Sequence, residues 1–86
     1  MSKIKKSKIQ TIIFQKRYYP TKLSVRNWLK RNPEYKLLKY KRDPIDKFED
    51  TYRVRQKEPW YFDKKTFRTI KLNKSGTIKA VIGKLK

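Results

Sequence analysis

A chain that carries a formal net charge of +19 over 86 residues has to fold against its own repulsion. Like charges at that density oppose compaction. A polyanionic partner would relieve them, and an apolar core has to outweigh them. The sequence holds the material for such a core. It contains two Trp, six Tyr and four Phe, with many β-branched residues among them. Disordered basic tails usually lack both. The length allows one domain, with a stability margin of about a few kcal/mol.

The charge is unevenly placed. Residues 1–33 carry +10 with no acid, residues 34–63 carry +1 and hold all seven acids, and residues 64–86 carry +8 with no acid. The middle is self-neutralised and both ends are purely basic. If the ends meet in the fold, they form one basic surface beside an acid-balanced one. That asymmetry gives one face to a polyanion and another to something else.

Residues 1–8 read as a flexible basic arm and 9–86 as a single small domain. Ile9 to Gln15 is short and β-branched, which favours a strand over a helix. Thr21 suits a helix N-cap, Val25, Trp28 and Leu29 share one helical face, and Asn32-Pro33 ends the helix. Trp28 is the expected central plug against a sheet, whereas Leu23 points away from that face. Glu34 to Lys41 reads as a strand, Asp43-Pro44 and Asp46 to Asp50 as turn or loop, and Thr51 to Gln56 as an alternating strand. Lys57 to Phe62 reads as an aromatic loop. Phe67 to Leu72 and Thr77 to Leu85 form a hairpin around Asn73-Lys74-Ser75-Gly76, with Gly76 able to take positive φ. The fold class is therefore α+β: one helix on a small, mostly antiparallel sheet in the order β-α-β-β-β-β. One helix covers one sheet face, which leaves the other open.

Catalytic chemistry finds little to work with. The chain has no histidine and no cysteine, and its two glycines, Gly76 and Gly83, form no phosphate-cradling loop. No enzyme activity and no cofactor are expected. Without cysteine there is no disulfide or thiolate zinc site, which fits a reducing compartment. Asp43, Asp46, Glu49 and Asp50 cluster, but Lys41, Arg42 and Lys47 are interleaved with them, as in a solvated loop of paired charges. No apolar run approaches the roughly 20 residues that span a bilayer, so membrane insertion is not expected. The basic N-terminus lacks the apolar stretch of a secretory signal. The expected location is a cell interior, cytoplasm or nucleus, rather than outside the cell.

Three features could bind a partner. Lys22, Arg26 and Lys30 form a helical stripe, continued by Arg31, that could track a phosphate backbone or be an ordinary solvated face. Arg53 and Arg55 alternate with Tyr52 and Val54 and would project from the open sheet face. Arginine there suits bidentate phosphate contact, or cross-strand pairing to acids such as Glu49 or Glu34. Arg68 and Lys71 on the following strand join them as candidate binding residues. Trp60, Tyr61 and Phe62 could stack on bases, or form a satellite cluster or a protein interface.

Taken in order, the Trp28-Leu29 helix, Tyr52-Arg53-Val54-Arg55-Gln56 with Pro59, Phe67-Arg68-Thr69 and Val81-Ile82-Gly83 resemble a group of small proteins and short domains of giant DNA viruses and some bacteriophages. The resemblance spans about residues 9–83. Val54 stands where that pattern usually has Phe, and Asn32-Pro33 replaces its usual helix exit. It implies a viral setting, with a virion or genome-handling role, and carries over no functional residue.

Two functions fit. One is a nucleic-acid-binding protein, for DNA or RNA without sequence preference, acting in genome packaging or condensation. The other is a structural virion component, such as a minor capsid or cement protein, that sets its basic surface against acidic protein surfaces and anchors through its aromatic loop. A ribosomal or other RNA-scaffold protein fits the same charge, and a lipid surface fits it less well. An open sheet edge also makes a homo-oligomer plausible.

Overall fold

The computed structural model of the protein describes residues 7–35 and 44–86. Its elements run β1 (Lys8–Gln15), α1 (Lys22–Arg31), β2 (Ile45–Lys47), β3 (Thr51–Arg55), β4 (Arg68–Lys71) and β5 (Ile78–Gly83). The strands form a five-stranded antiparallel sheet in the order β2-β3-β1-β5-β4. This is the α+β class, with one helix against the sheet.

The helix starts where its cap dictates. Thr21 is extended, and its side chain accepts from the Ser24 amide at 3.1 Å while the Ser24 hydroxyl accepts from the Thr21 amide at 3.3 Å. This reciprocal pair satisfies two amide groups at the helix start. At the other end Asn32 Nδ2 donates to the Trp28 carbonyl at 2.8 Å, and Pro33 prevents continuation.

Alternation sets the sheet's two faces. Ile12, Phe14, Tyr52, Val54, Ile45 and Ile78 point to the helix side and are buried with Val25 and Leu29. Trp28 is not the central plug. It is half-buried at the flank, edge-on to Phe14 at 5.3 Å and stacked on Tyr35 at 5.3 Å. At 100° per residue Val25 and Leu29 bracket the line facing the sheet, which leaves the larger indole to one side. Phe14, fully buried, takes the central place. Leu23 is exposed, as its position on the helix requires.

The strand after the helix is Ile45–Lys47, not Glu34 to Lys41. Most of the latter segment falls outside the described residues, and Glu34 and Tyr35 lie in the turn that leaves the helix. Asp46 and Lys47, expected in a loop, belong to β2 because Ile45 is buried opposite Val54. A strand this short, with two charged residues of three, shows no period to read. β1 begins at Lys8, opposite Gly83, so Lys8 belongs to the sheet and not to the arm expected over residues 1–8, of which 1–6 lie outside the described residues.

Two local devices shape the rest. The β1–β5 register shifts between Ile9 and Thr11, which makes Gln10 a bulge. Its carbonyl accepts from the Gln56 amide at 2.7 Å, and its Nε2 donates to the Lys57 carbonyl at 3.1 Å. The chain leaving β3 is thereby fixed to β1. Beyond it come two 3-10 turns, Pro59–Tyr61 and Lys64–Thr66. Phe62 and Phe67 then pack on Gly83, where an added Cβ would stand 2.8 Å from a Phe67 ring carbon. The hairpin between β4 and β5 turns at Gly76, whose φ is 72°.

Candidate nucleic-acid interface

The two basic ends of the sequence meet. β1 pairs with β5, and β5 with β4, so three of the five strands are built from the acid-free segments. None of these three strands contains a carboxylate side chain. Across the face turned away from the helix, one row of directly opposed residues runs Lys71, Lys79, Ile13, Arg53, Asp46. Like charges directly opposite on neighbouring strands are destabilising. Lys71 and Lys79 form such a pair, and both are exposed. Lys71 packs its stem over Gly76, with side-chain carbons 3.4 Å from where a Cβ would be.

The candidate residues do not converge on one surface. Arg26, Lys30 and Arg31 are exposed on the helix, and Lys22 is half-buried. Lys30 and Arg31 also complement the negative end of the helix dipole, so part of their presence is structural. Arg53, Arg55 and Lys71 lie on the opposite side of the sheet. Arg68 is opposed to Ile82 and so faces the helix side, on an edge strand whose four residues are all exposed.

The two β3 arginines are more engaged than an open face would leave them. Arg55 Nη1 donates to Glu58 Oε2 at 2.9 Å, and the Glu58 side chain is only 11% exposed. The partner is the acid three residues on, beyond the strand end, rather than Glu49 or Glu34. Arg53 lies over the Phe48 ring, 4.7 Å from its centre, and its Nε is buried without a hydrogen bond among the described residues. The face is not fully open either. The segment that joins β3 to β4 seats Phe62 and Phe67 against its Gly83 end.

Phe62 leaves the aromatic surface for the same reason. It is fully buried, its ring 5.4 Å from that of Phe67, and it bridges to Leu85. Trp60 and Tyr61 remain exposed, at 60% and 52%. Cations lie beside Tyr61 and along the segment that follows it. Lys57 Nζ lies 4.7 Å from the Tyr61 ring centre, and Lys64, Lys65, Lys84 and Lys86 line one concavity with Asp63 and Leu85. Nothing in the sequence singles out this grouping, or Lys79. Residues about twenty apart are joined by the Phe62–Leu85 bridge and by the Lys86 amide donating to the Tyr61 carbonyl at 3.0 Å.

Two acids of the β2–β3 turn reach across to the basic strands, so Lys79 has carboxylates near it as well as Lys71. Glu49 and Asp50 share a concavity with Lys16, Arg17 and Lys79. Among the described residues no group of three or more His, Cys, Asp or Glu is placed to hold a metal ion. No helix among them is long and apolar enough to cross a membrane. The Tyr35 phenol is pushed above its ordinary pKa by burial and, secondarily, by the charge of Glu34, so it stays a neutral packing ring.

Comparison with protein-family models, curated proteins and solved structures finds no match.

Proposed function

We propose that this protein binds nucleic acid through backbone phosphates, without sequence preference, in the packaging or condensation of a viral genome. The observation that carries the reading is the set of three adjacent strands without acids, β1, β5 and β4, where Lys71 and Lys79 face each other in register. A pair of that kind works against folding and for a polyanion. The residues assigned to phosphates are Lys71 and Lys79, with Arg68 at the edge and Arg26, Lys30 and Arg31 on the helix. Arg55 drops out because Glu58 holds it. With no histidine or cysteine in the chain, the role is binding rather than catalysis. The viral setting rests on the sequence resemblance alone.

A second reading, a structural virion component, draws on exposed Trp60 and Tyr61, which suit a protein interface. Binding to DNA and RNA across a salt series separates the two. Neutralising about six phosphates gives a drop of roughly a thousandfold between about 50 and 200 mM salt. A flat response, with tight binding to acidic protein surfaces instead, supports the virion component.

A further inference from the structure

The backbone-binding surface leaves the most exposed tryptophan of the protein unused. Trp60 sits in a 3-10 turn, 60% exposed, with Tyr61 beside it at 6.2 Å between ring centres. The turn is held from below. The Phe62 amide donates to the Pro59 carbonyl at 3.1 Å, and buried Phe62 anchors the chain over Gly83. A large apolar ring on a fixed turn, kept out of the core, is placed to meet something outside the protein.

Its surroundings say what. Lys57 lies over one face of Tyr61, and Lys64, Lys65, Lys84 and Lys86 line the adjoining concavity. The carboxylate there, Asp63, accepts from the Lys65 amide at 3.1 Å as the cap of the second 3-10 turn. Pro59, at the start of the Trp60 turn, borders the outer sheet face with Thr11, Arg55 and Val81. The aromatic corner is therefore continuous with the face that carries Lys79. Aromatic rings set among cations are the recurring means of holding single strands: the ring takes an unstacked base and the cations take the phosphates on either side. A duplex offers no free base face to such a ring. A protein partner would meet Lys57 on the neighbouring Tyr61 and four lysines in the concavity of the segment that follows, and lysine is depleted at protein interfaces.

We infer that Trp60, flanked by Tyr61, is a base-stacking platform, and that the nucleic acid the protein prefers is single-stranded. This rests on the phosphate-binding reading and specifies its substrate. Because Lys57 occupies one face of Tyr61, Trp60 is the main platform and Tyr61 its flank.

The test uses the full chain and three probes of equal length: an oligo-dT strand, an abasic strand that keeps the phosphates and lacks bases, and a duplex. Oligo-dT binds tighter than either of the others. Trp60→Ala lowers oligo-dT affinity by roughly ten- to hundredfold, the effect of about one unstacked base, and changes abasic-strand and duplex binding less than about twofold. Tyr61→Ala does the same to a smaller extent. Both side chains are exposed, so melting checks that the variants stay folded. Equal reductions on all three probes, or none on oligo-dT, overturn the inference while leaving phosphate binding intact. A protein that binds none of the three overturns both. If Trp60→Ala alters self-association and leaves oligo-dT binding unchanged, the ring is a protein contact and the inference fails.

Discussion

The two edges of the sheet treat their cations in opposite ways. On the β2–β3 side, three positive groups have something to hold. Arg55 pairs with Glu58, Arg53 lies over Phe48, and Lys16 Nζ donates to the Glu49 carbonyl at 3.1 Å. At the β5–β4 edge Lys71 meets Lys79, and no carboxylate side chain occurs in either strand. The same residue types thus stabilise one edge and work against the other. Charge that folding does not use is concentrated where β1, β5 and β4 lie side by side, and the proposed phosphate binding rests on it.

The connection between the edges is the place to break this contrast most severely. It seats on Gly83, and Gly83→Ala forces a methyl to within 2.8 Å of the Phe67 ring and 3.1 Å of Phe62. Overpacking of this kind costs about 1–3 kcal/mol. The expected result is a clear fall in melting temperature together with weakened oligonucleotide binding, since Trp60 rides on the same segment. A variant that melts like the native protein would mean that the Phe62–Phe67 cluster does not close on β5.

A smaller effect is expected at the acid-bearing edge. Arg55→Ser removes the 2.9 Å ion pair with Glu58, and a hydrogen bond of that kind contributes about 1–2 kcal/mol where one side chain is partly exposed. Stability should drop, read by denaturant midpoint, while the salt dependence of binding stays as in the native protein. A weaker salt dependence with unchanged stability would move Arg55 back among the binding residues.

Much of this architecture is legible in the sequence. The Thr21 cap, the Tyr52-to-Arg55 alternation and the Gly76 turn are local signals, and each sits where local chemistry puts it. The charge division also carries through, because β1 and β5 are neighbours. What the sequence hides depends on pairing between distant segments. Ile45–Lys47 is a strand only because β3 lies beside it. Glu58 looks like a loop acid until the bulge at Gln10 ties the chain after β3 to β1 and the Arg55 guanidinium meets its carboxylate. Phe62 shares a run with Trp60 and Tyr61, yet Gly83 admits its ring and buries it. Lys79 stands in an apolar strand, and only register reveals that it opposes Lys71.

The most direct test of the division between the edges is the salt slope of nucleic-acid binding for Lys71→Gln/Lys79→Gln. Removing one phosphate-neutralising lysine lowers the slope by about one, so the double variant should show a slope smaller by about two. Its melting temperature should hold or rise slightly, because relief of a like-charge cross-strand pair is worth a few tenths to about 1 kcal/mol. A native salt slope with a lowered melting temperature would contradict the account, since the two lysines would then serve the fold and not the partner.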